Sequence, residues 1–239
     1  MKPFLFKEFT VYQDKTAMKI GTDAVLLGAW CSISEYPDTI LDVGSGTGVI
    51  ALMLAQRTDA LTVDAVELNE SAYEQTVENF ERSDWGDRLF CYNASFQEFA
   101  IELSEEEESY DLIVSNPPFY TDEFETDDTA RNEARFTSSL SFEDLLKGVV
   151  DLLDENGLFA TIIPFREEEK FVELAESFGL YINRVCRVRG NENSELKRSL
   201  LEFSFDKKQI ISDELIIEKE RHQYTDAYIE LTKDFYLKM

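Results

Sequence analysis

Apolar segments of two kinds alternate along most of the chain. Some are short and rich in β-branched residues, whereas others repeat apolar residues at helical intervals, as in the segments that follow positions 48 and 70. Strands that alternate with helices predict an α/β fold with a parallel sheet. The predicted strands are 39–43, 61–67, 88–92, 110–115, 157–164, 182–188 and 199–205.

The length of 239 residues is suited to one domain with a substantial core. Within that domain we distinguish an N-terminal extension at 1–38, a core sheet at 39–205, and a C-terminal tail and helix at 206–239. In the extension, Thr22 and Asp23 can cap a helix.

A glycine-rich turn lies between the first core strand and the next helix. Gly44, Gly46 and Gly48 are spaced two apart and follow Asp42. Glycine lets a ligand approach the backbone, and the helix that starts at the turn presents unpaired N–H groups. The dinucleotide fingerprint requires glycine at position 49, which is Val49 here. The carboxylate of Asp42 suits a ligand with an ammonium group and a sulfonium. The turn resembles motif I of methyltransferases that use S-adenosylmethionine.

Polar residues at the ends of the next two strands are candidates for binding the nucleoside of that cofactor. Glu67 stands 19 residues after Gly48, about where α/β nucleotide-binding folds place an acid that accepts from ribose hydroxyls. Many methyltransferases have an aspartate after the third strand that accepts from the adenine amino group. Ser95 stands at that position here, so Asn93 or a backbone carbonyl is an alternative acceptor.

The fourth core strand ends in Asn116-Pro117-Pro118-Phe119. This pattern resembles methyltransferases that act on exocyclic or amide nitrogens. Such a nitrogen is a poor nucleophile, because its lone pair is delocalised. The Asn116 side-chain oxygen and the Pro117 carbonyl can accept its two hydrogens and stabilise the positive charge that develops during transfer. The prolines hold the backbone in one shape, and Phe119 offers a face on which a base can stack.

The charge of the chain bears on its partner. The sequence has 23 Lys and Arg against 49 Asp and Glu, a formal charge of −26, which argues against nucleic acid for the molecule as a whole. Most of the acid lies in residues 31–180, whereas residues 181–210 hold seven basic and four acidic groups. Lys197 and Arg198 in that segment are our main candidates for RNA contact, with Arg131 and Arg135 in the polar loop 121–139 as further candidates.

Other sequence features predict the compartment and the absence of a metal. No apolar run approaches the ~20 residues that span a bilayer, and the N-terminus lacks the features of a signal peptide. Three widely separated cysteines and a single histidine favour buried free thiols over a disulfide or a metal site. We therefore expect a cytoplasmic protein that binds neither a membrane nor a metal.

Taken together, these motifs resemble those of the bacterial tRNA1(Val) (adenine(37)-N6)-methyltransferases. The resemblance covers essentially the full length and implies a Rossmann-like class I fold. That fold has a seven-stranded, mostly parallel sheet with the last strand antiparallel and helices on both faces. It also implies S-adenosylmethionine as cofactor, Lys19 and Thr22 at the cofactor site, and adenine 37 in the anticodon stem-loop of a valine tRNA as substrate. The stretches that carry it are 19–28, 42–48, 116–119, 197–203 and 224–237.

Three alternatives remain open from the residues alone. A guanine-N2 rRNA methyltransferase also uses Asn-Pro-Pro-Phe. A protein glutamine-N5 methyltransferase uses the same chemistry, although such enzymes usually carry a helical domain before motif I and only 41 residues precede Asp42 here. A non-catalytic sensor of S-adenosylmethionine is the third, and the intact Asn116 motif argues against it.

Overall fold

A twisted sheet forms the centre of the computed structural model, which describes residues 2–16, 18–118 and 140–238. A separate two-stranded ribbon near the N-terminus pairs β1 (Phe4–Leu5) with β2 (Thr10–Val11) in antiparallel fashion. The strands of the main sheet are β3 (Thr39–Val43), β4 (Thr62–Val66), β5 (Leu89–Tyr92), β6 (Tyr110–Ser115), β7 (Leu153–Pro164), β8 (Tyr181–Asn191), β9 (Leu196–Ser204), β10 (Ile211–Glu220) and β11 (Gln223–Tyr224).

The strand order of the main sheet is β11-β10-β8-β9-β7-β6-β3-β4-β5. Strands β5, β4, β3, β6 and β7 are mutually parallel, and β9 lies antiparallel between β7 and β8. The predicted α/β class, with a mostly parallel sheet and an antiparallel strand 199–205, is confirmed. β9 enters between two strands that precede it in the chain, because the hairpin from β8 folds back into the sheet.

The main sheet has more strands in the described chain than the seven predicted from the sequence. β10 pairs in parallel with β8, and β11 pairs with β10 in antiparallel fashion, so residues assigned to a tail add two strands within the described chain. The strand was missed because Leu215 is the only side chain of β10 that is buried. A strand with one buried side chain shows almost no hydrophobic pattern, and its backbone pairing with β8 decides its position.

Helices cover both faces of the sheet. Several begin at a polar side chain that accepts a hydrogen bond from the first helical turn: Asn69, Ser95, Ser141 and Thr225. The helices are α1 (Thr22–Trp30), α2 (Val49–Arg57), α3 (Glu70–Glu81), α4 (Phe96–Glu105), α5 (Phe142–Leu152), α6 (Glu168–Ser177) and α7 (Asp226–Thr232).

Two hydrophobic cores form, one on each face of the sheet. The first contains the buried sides of α1 and α2 together with aromatic residues from both chain ends, such as Phe6 and Phe235. The second lies under α4, α5 and α6 and includes the fully buried Phe159, Phe171 and Phe203. Because both faces are covered, the central strands are continuous apolar runs rather than alternating ones. Among the described residues, no helix is long and apolar enough to cross a membrane.

The N-terminal extension is attached to the core through the buried Asn79 on α3. The Asn79 side chain accepts from Tyr12 N–H at 2.8 Å and donates to the carbonyl oxygens of Tyr12 and Thr47, both at 2.9 Å. Lys15 adds ion pairs with Glu74 and Glu78, each at 2.9 Å. One amide therefore joins the extension, α3 and the glycine turn.

We expect Asn79→Ala to lower the free energy of unfolding by about 2–4 kcal/mol, because it leaves buried backbone groups without partners. Urea denaturation monitored by circular dichroism measures this loss. Asn193→Ala, at an exposed hairpin position, serves as the matched control and should change stability by less than about 0.5 kcal/mol. Equal midpoints for the two variants would show that the amide does not hold the extension.

Candidate functional site

The glycine turn joins the end of β3 to the start of α2. Gly44, Gly46 and Gly48 all have positive φ, at 74°, 60° and 74°, as expected of glycine in a tight phosphate- or nucleoside-binding turn. The turn is attached to the neighbouring strand, because the N–H groups of Gly44 and Ser45 donate to the Val66 carbonyl at 2.9 and 3.3 Å. The end of β4 thus holds the backbone of the turn in place.

Two of these glycines face different surroundings. A Cβ on Gly46 would meet no heavy atom of a described residue within 4 Å, so the described part of the chain leaves this side of the turn open. A Cβ on Gly48 would stand 2.6 Å from the Phe80 ring and 2.9 Å from Thr76. Gly48 is therefore needed for the packing of α3 against the turn, whereas Gly46 leaves room for a ligand.

Glu67 follows β4 and lies against the turn. Its Oε2 accepts from Gly46 N–H at 2.9 Å, and its Oε1 accepts from Asn69 N–H at 2.8 Å. The side chain of Asn93 donates to the carbonyl oxygens of Glu67 and Leu68 at 2.9 and 3.2 Å. These bonds orient the carboxylate, and each of its oxygens keeps a further lone pair for a ligand hydroxyl.

Asp42 lies beneath the turn and is fully buried. Its Oδ2 accepts from Ala51 N–H in the first turn of α2 at 3.1 Å, and its Oδ1 has no hydrogen-bond partner among the described residues. Burial raises the pKa of this carboxyl to about 7, the Ala51 bond opposes the rise, and the charge of Glu67 adds to it. The structure thus provides a buried carboxyl oxygen that is free to accept a hydrogen bond.

Ser95 has a structural role at the start of α4. Its hydroxyl accepts from Glu98 N–H at 3.2 Å and donates to the Glu98 carboxylate at 2.7 Å, which is an N-terminal cap. The hydroxyl proton is already used, although the oxygen follows β5 at the same edge of the sheet as Glu67.

Lys19 lies before α1, and Thr22 is the first residue of α1. The Lys19 ammonium donates to the carbonyl oxygens of Gln13 and Thr16 at 2.6 and 2.7 Å, so its described hydrogen bonds order the segment before α1 rather than reach the glycine turn. Thr22 is exposed in the first turn of α1. The assignment of Lys19 to the cofactor site stays a prediction, and its ammonium group orders the backbone of the segment before α1.

Asn116 and its prolines follow β6, the neighbour of β3. Ser115 pairs with Val43 in the sheet, and its hydroxyl donates to the Val43 carbonyl at 3.0 Å. Asn116 directly follows Ser115, and Gly44 directly follows Val43. The two residues therefore leave adjacent strands, which are about 4.8 Å apart. Asn116 is half-buried, Pro117 is buried and Pro118 is exposed. Phe119, Arg131 and Arg135 lie outside the described residues.

Lys197 and Arg198 lie at the edge of the sheet that carries the glycine turn and Asn116, because β9 is antiparallel and begins where the parallel strands end. Arg198 pairs with Pro164 at the end of β7. Its guanidinium donates to the Asp23 carboxylate at 2.8 Å, which links β9 to the first turn of α1. Lys197 is exposed beside it.

Two further residues that support the glycine turn were not predicted from the sequence. Thr76 donates to the Gly46 carbonyl at 3.1 Å, and Asn79 donates to Thr47, so α3 binds the turn from behind. Both are buried, and Gln75 beside them is buried as well. The available signal was their helical spacing with Ala72 and Phe80, which places polar residues on the inward face of α3.

The chain matches the model of the methyltransferase small domain over residues 18–179. It is 56% identical over 238 residues to the tRNA1(Val) (adenine(37)-N6)-methyltransferase of Christiangramia forsetii, covering 100% of this chain and 99% of the relative. The relatives of that name in Bacteroides fragilis and Pectobacterium carotovorum are 46% and 41% identical, with 99% of this chain covered in both cases and 98% and 94% of the relatives. This chain belongs to that methyltransferase family.

Solved structures support the fold of the family. A predicted O-methyltransferase from Agrobacterium tumefaciens is similar to this chain with a TM-score of 0.68 and 17% identity, covering 89% of this chain and 96% of that one. P. horikoshii TYW2 in complex with MeSAdo is similar with a TM-score of 0.57 and 12% identity, covering 85% and 71% of the two chains. At these identities the likeness shows the class I methyltransferase fold alone. The described residues hold no group of three or more His, Cys, Asp or Glu side chains placed for a metal ion.

Gly46 and Gly48 predict different losses of stability for the same substitution. We expect Gly46→Ala to cost about 1–2 kcal/mol for the left-handed backbone alone. Gly48→Ala should cost about 1–3 kcal/mol more, because its Cβ also collides with Phe80. Thermal and urea unfolding of the two variants measure the difference, and equal losses would contradict the close packing at Gly48.

Asp42 predicts a pH dependence of stability. Its pKa rises from 3.8 to about 7 on folding, so the folded protein binds an extra proton between these values. This contribution to stability is complete below the ordinary pKa and is lost as the pH rises through about 7. We therefore expect the stability of Asp42→Asn relative to the wild type to rise between about pH 4 and about pH 7 and to stay constant above that pH. Urea midpoints across this range test it, with the exposed Asp59→Asn as control; unfolding curves of Asp42→Asn that track those of the control would refute it.

Proposed function

We propose that this chain transfers a methyl group from S-adenosylmethionine to the exocyclic N6 of adenine 37 in tRNA1(Val). The observation that carries the proposal is the placement of Asn116 beside the glycine turn, through the pairing of Ser115 with Val43. A residue suited to hold an amino group thus stands next to a turn suited to hold a methyl donor. The names of the relatives at 41–56% identity support the substrate.

The residues around the turn fit this cofactor. A Cβ on Gly44 or Gly46 would meet no heavy atom within 4 Å in the part of the chain that the structure describes, which leaves space for a ligand there. Glu67 is held by two backbone N–H groups with lone pairs to spare for the ribose hydroxyls. Asp42 Oδ1, which no described residue contacts by a hydrogen bond, can accept from an ammonium donor at the turn. Asn93, beside Glu67, is the side chain we assign to the adenine end. We assign Gly48 and Ser95 to supporting the walls of this site, and Lys19 and Thr22 to its N-terminal side.

The cofactor supplies a methyl group that its sulfonium already activates, so no nucleophilic side chain is required. The role of the protein is to hold the amino nitrogen in line and to stabilise its developing positive charge. In our proposal the Asn116 oxygen and the Pro117 carbonyl accept the two amino hydrogens. Pro118 keeps this backbone in one conformation, and Phe119 stacks on the target base.

The RNA approaches the edge of the sheet where the parallel strands end. We assign Lys197 and Arg198 to contacts with the tRNA, together with Arg131 and Arg135, which lie outside the described residues. The acidic surface of the rest of the chain keeps this electrostatic attraction weak, so binding should fall quickly with salt. Because its proposed substrate is tRNA, we propose that the enzyme acts in the cytoplasm.

The first experiment is methyl transfer from isotope-labelled S-adenosylmethionine to unmodified tRNA, followed by digestion to nucleosides and mass analysis. We expect labelled N6-methyladenosine from the wild type and a loss of at least about 100-fold in kcat for Asn116→Ala, as for other removed transition-state hydrogen bonds. Asn156→Ala, at the opposite end of β7, is the matched control and should keep full activity.

Other products would redirect the assignment. Labelled guanosine would identify a guanine-N2 enzyme, and label in protein but not in RNA would identify a glutamine-N5 enzyme. Cofactor binding without label in any substrate would identify a sensor. Equal activity of Asn116→Ala and Asn156→Ala would remove Asn116 from the proposed mechanism.

A further inference from the structure

A second groove opens at the same edge of the sheet, beyond the end of β7. It has a volume of about 440 Å³ and is lined by Phe165, Arg166, Glu168, Glu169, Arg187 and Leu196. These residues come from a 3₁₀ turn after β7 (Phe165–Glu167), the first turn of α6, the later part of β8 and the start of β9. We call it the Phe165 groove. None of its residues belongs to the site described above.

The groove stands close to Asn116. β7 is the neighbour of β6, and Thr161 pairs with Ser115. Pro164 therefore lies one strand across from Asn116 and about 7 Å further along the strand direction. Phe165 follows Pro164 directly. The Phe165 groove therefore follows the strand next to the one that carries Asn116.

Phe165 presents an aromatic ring to solvent where the chain leaves the core. Ile162 and Ile163 just before it are fully buried, whereas Phe165 is 36% exposed. The ring lines the groove together with Leu196 and is accessible to solvent. An aromatic face beside basic side chains is the usual platform for an unpaired base.

Arg187 is held rigidly at the wall of the groove. Its Nε donates to both oxygens of the Glu168 carboxylate, at 3.0 and 3.1 Å, and its Nη2 donates to Oε1 at 2.5 Å. Ser199 also donates to Glu168, which orients the carboxylate. The Nη1 group of Arg187 has no partner among the described residues, so its two N–H donors remain available for an anionic oxygen.

The charges of the Phe165 groove are more compatible with RNA binding than the charges on most of the surface of this acidic chain. Arg187 neutralises Glu168, and Arg166 is half-exposed with a 3.3 Å contact to Glu167. Lys197 is exposed at the rim and forms no ion pair with a described residue. Glu169 is the remaining acid in the lining. With charges this nearly balanced, stacking and geometry contribute more than long-range attraction.

We propose that the Phe165 groove binds a nucleotide adjacent to the target adenosine, with its base stacked on Phe165 and its phosphate contacted by Arg187 and Arg166. This inference rests on the proposed function, because it takes RNA as the substrate. It assigns the groove to positioning the strand after the target base has left its stack, which adds affinity for the substrate without touching the reacting atoms.

Steady-state methylation of unmodified tRNA tests the groove. We expect Phe165→Ala to raise KM for tRNA about tenfold, since one stacked base contributes about this factor. The KM for S-adenosylmethionine and the kcat should stay within about twofold, because Phe165 touches neither cofactor nor reacting atoms. Phe165→Tyr should keep the wild-type KM for tRNA, whereas Phe165→Leu should raise it. This comparison separates base stacking from simple apolar packing. Arg166→Ala should raise the KM as well, with a smaller effect.

Phe90→Ala is the matched control. Phe90 is 45% exposed and lies on β5, the last strand at the other end of the sheet. If Phe165→Ala and Phe90→Ala have the same KM for tRNA as an active wild type, the groove does not bind RNA. If the wild type itself methylates no tRNA, the proposed function is wrong, and the proposal for the groove is wrong with it. Unfolding midpoints of all variants show whether a loss reflects a damaged fold.

Discussion

The parallel pairing of β3 with β6 is the constraint on which the candidate site depends. It places Val43 opposite Ser115, with the Ser115 hydroxyl bonded to the Val43 carbonyl at 3.0 Å. The glycine turn and Asn116 then leave the sheet side by side. A slip of one residue in this register would turn Ser115 and Val43 to the opposite faces of the sheet and separate the two halves of the site. The hydrophobic cores on the two faces oppose such a slip, because each strand is packed on both sides.

The turn itself is supported from three directions. β4 holds its backbone through the Val66 carbonyl, Glu67 accepts from Gly46, and α3 contributes Thr76 and Asn79 from behind. Much of the polar capacity near the turn thus maintains its shape. Among the described residues, what remains for a ligand is the open space before Gly44 and Gly46, the spare lone pairs of Glu67, and the Asp42 oxygen that has no hydrogen-bond partner there. A preorganised turn of this kind does not have to be ordered when a ligand binds.

The charge distribution separates two tasks in one chain. The acidic groups are concentrated in residues 31–180, which carry the glycine turn, whereas the strands that follow carry a local excess of basic residues. Most of these arginines are paired: Arg187 with Glu168, Arg189 with Glu214, and Arg198 with Asp23. Pairing holds the guanidinium groups in place and limits nonspecific attraction to nucleic acid. Recognition in such a protein depends on the fit of a few groups more than on net charge.

The sequence by itself determined the glycine turn, the Asn116 motif, the order of the core strands up to β9, and the family resemblance, because these depend on local patterns of residues. The tertiary structure decided what these patterns cannot show. β10 has one buried side chain and is placed by its backbone pairing with β8, and Asn79 shows its role only once the N-terminal extension packs against α3. Ser95 became a helix cap, Lys19 bonded to its own segment, and Arg198 met Asp23 across 175 residues. Polar side chains find partners by distance in space, and sequence position fixes that distance only for near neighbours.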